Sequence, residues 1–362
     1  MLHPLIRDWL QLRVGSKDRQ TYTYEAVDMI VSSLRTFANR DSDATIKRSI
    51  LLHMDATLLT VMDFFRDEHR FGQDITSCKH ADWFASFYRD QGRFNASLDL
   101  YRTVIATRVR VQGKEHSDTL TSMNNLAAVL RDQGKYDEAE QMYREVAEVR
   151  ERVLGKEHPS TLMSMNNIAT VLRGQGKYVE AEQMHREVME VRERVLGKEH
   201  LDTLRSMNNF AVVLRDQGKY VEAEQIHRQE LEVRERVLGK EHLDTLMSMN
   251  NFAVVLRDQG KYVEAEQMFR EMMDVTEKVL GKEHPDTLMS MNNFAVVLRD
   301  QGKYVEAEQM LREVVEMRER ILSKEHPSTL MSMNNLTEVL REQGQYEEAE
   351  KIQSLSLSIP PV

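Results

Sequence analysis

A tetrapeptide, Gly-Lys-Glu-His, begins at Gly113, Gly155, Gly197, Gly239 and Gly281, and returns as Ser323-Lys-Glu-His. A Gln-Gly pair places glycine at Gly92, Gly134, Gly176, Gly218, Gly260, Gly302 and Gly344. Every interval is 42 residues. A fixed period between about 20 and 50 residues marks a pile of equal units, each too small to bury its own apolar surface. One unit therefore holds most of the folding information in the chain.

The unit from Asp244 to Pro285 folds on paper as two antiparallel helices. Asp244 is a candidate N-cap, because its carboxylate can accept from a backbone N–H of the first turn. Leu246, Met249, Phe252, Ala253 and Leu256 then follow at steps of three and four, one face of a helix. Gly260 ends it, since only glycine enters the left-handed conformation without steric cost. A second helix starts near Tyr262 or Val263, with Ala265, Met268, Phe269, Met272, Val275 and Leu280 as its apolar stripe. Gly281 closes it. The spacing predicts helices of roughly 15 and 18 residues.

Phe252-Ala253, Gly260, Tyr262, Ala265 and Phe269 stand at spacings that resemble the tetratricopeptide repeat. In that family a small residue on each helix lets the pair cross closely, and an aromatic fills the gap; Ala253, Ala265 and Phe269 match these positions. The family's usual unit is about 34 residues. The 42-residue form, with its Asn-Asn, Leu-Arg-Asp-Gln-Gly-Lys-Tyr and Glu-Ala-Glu segments, resembles the repeats of kinesin light chain. It also resembles the repeat region of fungal NB-ARC-type receptors. The resemblance runs from about Thr76 to Gln353 and implies an all-α, right-handed superhelical solenoid of helix pairs whose concave groove binds short peptides.

Composition narrows the function. The chain of 362 residues is 41% apolar and 30% charged, with a formal net charge of −10. That balance argues against nucleic acid, whose phosphates need a clustered basic surface. Cys78 is the one cysteine, so no intrachain disulfide forms and a reducing, cytoplasmic setting is expected. No apolar run has the length of a membrane span, and the opening residues lack a signal peptide's apolar core. The sequons at Asn95 and Asn335 are therefore expected to stay unmodified.

Three regions are expected: a helical N-terminal segment over 1–75, the repeats over 76–353, and a tail over 354–362. In the first, Leu2 to Leu12, Tyr24 to Phe37 and Ile46 to Phe65 carry helical spacing. His3, Pro4, Leu5, Trp9, Ser49, Leu52, His53 and Asp55 resemble the segment that joins the nucleotide-binding part of the fungal receptors to their repeats. No GxxxxGK[ST] phosphate loop occurs in the sequence. The expectation is either a piece of a longer protein or a relative without that half. Trp83, Phe84, Phe87 and Tyr88 make the first repeat divergent and point to packing against the N-terminal helices. Thr337, Glu338, Glu342, Glu347 and Glu348 make the last one polar, as a capping repeat must be.

In the resembled stack the first helices line the groove. With Met249, Phe252, Ala253 and Leu256 as core, the opposite face carries Met247, Asn250, Asn251, Val254, Arg257 and Asp258. Copied at the repeat period, this gives columns. One asparagine column is Asn124, Asn166, Asn208, Asn250, Asn292 and Asn334; the next is Asn125, Asn167, Asn209, Asn251, Asn293 and Asn335. An arginine column is Arg131, Arg173, Arg215, Arg257, Arg299 and Arg341. A methionine column includes Met163, Met247, Met289 and Met331, with Arg205 in the same register. Amides can pair with the backbone of an extended peptide, arginine forks match carboxylates, and methionine makes an adaptable wall. The expected partner is a protein or peptide segment with acidic and apolar residues. The alternative is structural: asparagines bonded between neighbouring helices and arginines paired with nearby Asp or Glu.

Other candidates read as structure. The Glu-His turns sit one per repeat, too far apart to share a metal, and are expected to act as turns, with the His or the following Pro closing the helix entry. His185 and His227 replace the aromatics Tyr143 and Phe269 and are expected to pack. Runs such as Glu148-Val-Arg-Glu-Arg read as a solvated face with helix-spaced ion pairs. No catalytic residue, cofactor or metal site is expected. A binding scaffold leads the functional readings, ahead of a receptor's sensing tail or, more remotely, an enzyme or small-molecule carrier using the cavity. The oligomeric state is left open.

Overall fold

The computed structural model describes residues 75–357. The expected helices of the N-terminal segment, and the packing of the first-repeat aromatics against them, lie outside the described residues. Within them the chain is all-α. In order the helices are α1 (Ile75–Asp90), α2 (Phe94–Gln112), α3 (Ser117–Asp132), α4 (Tyr136–Leu154), α5 (Pro159–Gly174), α6 (Tyr178–Leu196) and α7 (Leu201–Asp216). They continue as α8 (Tyr220–Leu238), α9 (Leu243–Asp258), α10 (Tyr262–Leu280), α11 (Pro285–Asp300), α12 (Tyr304–Ile321), α13 (Pro327–Glu342) and α14 (Tyr346–Leu357). The chain forms two compact units divided between Lys177 and Tyr178. The first contains α1–α5 and the second α6–α14. Inside each unit every helix packs on its sequence neighbour, and successive first helices also touch: α1 with α3, then α7, α9, α11 and α13 in turn.

The repeating unit is a 16-residue helix and a 19-residue helix, as in α9 and α10. Leu246, Met249, Phe252, Ala253 and Leu256 are buried, with Ala265, Phe269 and Met272 from the second helix. Ala253 and Ala265 are wholly enclosed, which is what a close crossing requires of small side chains. The turn between the helices uses Gly260 at φ 79°. Lys261 N–H then reaches the Leu256 carbonyl (2.9 Å) and Gly260 N–H the Arg257 carbonyl (2.8 Å), satisfying two orphan acceptors of the helix end.

The N-cap differs from expectation. Asp244 lies inside α9, and the cap is His242, whose ring Nδ1 accepts from Asp244 N–H at 3.1 Å. His116, His158, His200, His284 and His326 do the same for the residue two places on, at 3.1–3.2 Å. An imidazole nitrogen reaches this N–H from an extended backbone as a short Asp side chain would. The Asp carboxylate in the first turn is left to face the positive helix end.

Candidate functional site

The two asparagine columns do different things. Asn124, Asn208, Asn250 and Asn292 are buried, contrary to their placement on a groove wall; Asn166 is half-buried and Asn334, on the last first helix, is exposed. The second column, Asn125, Asn167, Asn209, Asn251, Asn293 and Asn335, is half-buried. Within the first unit Asn167 Nδ2 donates to Asn124 Oδ1 (3.0 Å). Within the second, Asn251 donates to Asn208 (2.9 Å), Asn293 to Asn250 (2.8 Å) and Asn335 to Asn292 (3.1 Å). The physical reason is contact between successive first helices: an amide at their seam must be paired, and another amide one repeat later supplies the partner. In the first repeat Asp82 takes the seam position and holds Arg108 Nη2 at 2.7 Å and Ser122 Oγ at 3.1 Å.

The arginine column is also committed. Arg131, Arg173, Arg215, Arg257 and Arg299 are half-buried and Arg341 is exposed. Arg131, Arg215 and Arg257 each pair with the following aspartate at 2.7 Å, and Arg299 with Asp300 at 2.9 Å. Arg215 and Arg257 lie 3.7 Å from the aspartate one repeat on, and Arg299 also pairs with Glu338. A ligand carboxylate would have to displace these aspartates. Arg341 is different: its guanidinium donates to the neutral amide of Gln353 (2.5 Å). In the methionine column Met247 and Met331 are 45% and 44% exposed, while Met289 and Val254 are half-buried.

A second arginine column was missed by sequence reasoning. Arg108, Arg150, Arg192, Arg234 and Arg318 are almost wholly buried, although the last four lie in the Glu/Arg runs read as solvated. In four repeats Nη1 donates to a backbone carbonyl ten residues on and to a serine hydroxyl fourteen on. Arg150 reaches Ser160 O (3.2 Å) and Ser164 Oγ (2.9 Å), Arg192 reaches Asp202 O (3.1 Å) and Ser206 Oγ (2.8 Å), and Arg318 reaches Ser328 O (2.6 Å) and Ser332 Oγ (2.7 Å). Arg108 makes the matching pair with Asp118 O and Ser122. Burial pushes the pKa of Arg318 down to about 10. The arginine ties the second helix to the start of the following first helix. The neighbouring arginine in the same run, such as Arg152, does behave as expected, pairing with Glu115 at the surface (2.5 Å).

Two departures break this column. Glu230 stands where other copies have Val146, Val188, Met272 and Val314, and is fully buried. It pairs with Arg234 and accepts from Ser248 Oγ (2.9 Å), so it takes over the serine that the arginine otherwise meets. Its Oε2 has no hydrogen-bond partner, and burial raises its pKa against the lowering effect of Arg234. Thr276 stands where the arginine itself should be, its hydroxyl turned back to the Met273 carbonyl (3.1 Å). Beside it lies a cavity of about 140 Å³, lined by Leu243, Asp244, Leu246, Met247, Asn250, Met272, Thr276, Asp286, Met289 and Ser290. It brings together three of the groove candidates, Met247, Asn250 and Met289. Aligning the copies at their period would have exposed both departures.

On the second helices a row of carboxylates links repeats. Glu266 accepts from Lys303 (2.8 Å), Gln301 (2.9 Å) and Arg270 (3.0 Å), which hold it at about 2. Glu224 has the matching set: burial raises its pKa, but bonds from Lys261, Gln259 and Arg228 outweigh this and set it at about 2. Arg186, Arg228 and Arg270 also lie over Phe210, Phe252 and Phe294, at 5.1, 5.3 and 5.5 Å from the ring centroids. No group of three or more metal-ligating side chains is found among the described residues, and no described helix is long and apolar enough to cross a membrane.

A model of the tetratricopeptide repeat family matches overlapping stretches, residues 78–151, 118–194, 160–236, 202–278, 249–320 and 286–360. The chain belongs to the tetratricopeptide repeat family. Its repeats are similar to the nearly identical TPR-like repeats of a Podosopora anserina protein described as a kinesin light chain. That likeness has 26% identity over 57% of this chain and 98% of that one, with a TM-score of 0.49. The fold is shared with aspartyl phosphate phosphatase F from Bacillus subtilis (11% identity, 99% of this chain and 88% of that one, TM-score 0.60). It is shared too with the apo form of RapI (12% identity, 78% and 96%, TM-score 0.56). Comparison with curated proteins gave no match. Membership explains the buried small residues, and leaves partner choice to the side chains that vary between tetratricopeptide units.

Proposed function

We propose that this tetratricopeptide repeat chain is a protein-interaction scaffold that takes an extended partner segment along its first helices. The fold in general supports a scaffold; the segment and its chemistry are our reading. The observation that carries it is the division of labour on the first helices. The asparagine rows are used between repeats, whereas Met247 and Met331 stand exposed in a column with the half-buried Met289. Isolated exposed apolar residues are common, but here they recur at the repeat period beside polar edges. The partner is an apolar segment with acidic residues near its end at Arg341, the arginine set against a neutral amide. A cytoplasmic setting accords with this reading.

The test titrates acidic–apolar peptides into the full chain and into two variants, Met247→Ala/Met331→Ala and Arg341→Gln. Both sites are exposed, so the fold is retained. The expected result is weaker binding of apolar peptides by the first and of acidic ones by the second. Unchanged affinities in both, for a peptide that binds the parent, would remove the assignment.

A further inference from the structure

The cavity beside Thr276 has the outline of a missing side chain. In four repeats the buried arginine at this position places a guanidinium on the carbonyl ten residues on and the serine hydroxyl fourteen on. Counted from Thr276 those acceptors are Asp286 O and Ser290 Oγ, and both residues line the cavity. Ser290 Oγ donates to Asp286 O (2.9 Å), which leaves its lone pairs available to a donor. Asp244 and Asp286 also line the cavity, the Asp244 carboxylate lying 3.5 Å from Arg234 Nη1. Met247, Met272 and Met289 form walls that can close on a flat group or an aliphatic stem. A void on the order of 150 Å³ holds a group the size of benzene, so about 140 Å³ suffices for a guanidinium and its first carbons.

We propose that this cavity is a binding site for a guanidinium group supplied from outside the chain, either by an arginine of a bound segment or by a small guanidino compound. The sibling repeats show that the same acceptors hold a guanidinium at almost complete burial. The Thr276 side chain removes the tethered occupant and leaves its acceptors in place. The wall residues Met247 and Met289 reach the first-helix face, so an arginine from a segment lying there has a route in. That arm rests on the scaffold reading above; the small-molecule arm does not, and the two fail separately.

The experiment follows methionine methyl resonances of the full chain during titration with ethylguanidinium at constant ionic strength. Ethylurea serves as the neutral isostere and ethylammonium as the point charge. The expected result is a saturable shift of the Met247, Met272 and Met289 signals with ethylguanidinium and little response to the other two. Thr276→Arg, which restores the sibling side chain, abolishes the response. Ser290→Ala keeps the cavity and removes one acceptor, weakening binding roughly tenfold. Should Thr276→Arg fail to fold, Thr276→Leu blocks the cavity without charge and is expected to abolish the response equally. An unsaturable shift, an equal response to ethylurea, or full binding in both Thr276 variants would overturn the site. With the site established, arginine peptides and their citrulline counterparts distinguish the sources: discrimination between them identifies a segment-borne arginine, and equal binding restricts the site to the small compound.

Discussion

His227 offers a direct measurement of what a repeat tolerates at its aromatic position. Its ring is fully buried, stacked on Phe252 with centroids 6.3 Å apart and planes 21° from parallel. Neither ring nitrogen has a hydrogen-bond partner. Burial, and then the positive charge of Arg215, push its pKa from 6.5 down to about 4. The folded chain therefore holds His227 neutral in a range where the unfolded chain protonates it. The stability it contributes is intact above pH 6.5 and is lost as pH falls from there towards 4. Each pH unit inside that window is worth about 1.4 kcal/mol. By pH 5 the loss is about 2 kcal/mol, and by pH 4 about 3.

Replacing His227 with Phe copies the residue found at Phe269 one repeat on and removes both the orphan nitrogens and the titration. At neutral pH the substitution is expected to stabilise by about 1–3 kcal/mol, the usual cost of an unpaired buried polar group. At pH 5 the advantage should grow by about a further 2 kcal/mol. Stability in a repeat array is partly local, so amide hydrogen exchange in α8 and α9 is the proper assay, measured at pH 7.5 and pH 5. A ring that titrates near 6.5 in the folded chain, or a variant with the same pH dependence as the parent, would refute the reasoning.

Three other substitutions test the joints of the fold. Ser323 occupies, at φ 106°, the place of glycines held at φ 90° or so in the other copies; Ser323→Gly is expected to raise stability by about 1 kcal/mol in chemical denaturation. Asn251→Ala leaves the buried Asn208 carbonyl oxygen without its 2.9 Å donor, and should lower stability by about 1–3 kcal/mol with exchange accelerated in α7 and α9. Arg192→Leu removes a buried cation and its two bonds to Asp202 O and Ser206 Oγ, which keep only their mutual 3.0 Å bond, and a net loss of about 1 kcal/mol in thermal unfolding is expected from the lost donors.

The fold was legible because its signals are local and repeated. Gly260, Ala253 and Ala265 sit at positions where backbone geometry and close approach leave few alternatives. The seam between first helices was harder to read. Adjacent asparagines such as Asn250 and Asn251 look alike in a pattern, and only the approach of the next first helix decides which amide is enclosed. The buried arginines were hidden by a different effect. A long charged side chain in a polar run reads as solvent-facing, and its acceptors belong to the following helix, ten and fourteen residues away. His242 was credited with closing the helix entry, but capping was assigned to Asp244 because a short acid is the commoner acceptor there.

Glu230 shows how far near-identical copies can diverge in their interiors. The position is valine or methionine in neighbouring copies, and a carboxylate there enters only because Arg234 already lies buried one turn away. The pair is enclosed, with side-chain exposures of 3% for Arg234 and 0% for Glu230, and one carboxylate oxygen is left unpaired. A buried ion pair typically recovers little more than its desolvation cost, and apolar replacement is neutral or stabilising by about 1–4 kcal/mol. Glu230→Val is the informative change, because it returns Arg234 to the situation of Arg192, where Ser206 and a backbone carbonyl suffice. Ser248, freed from Glu230, becomes the acceptor for Arg234. The expected outcome is slower exchange in α8 and α9 and a higher midpoint of thermal unfolding. The opposite substitution, Val188→Glu, should reproduce the pair with Arg192 at no more than a small loss. A large loss from Glu230→Val would mean that Arg234 cannot reach Ser248, and that the second arginine column is not one interchangeable joint.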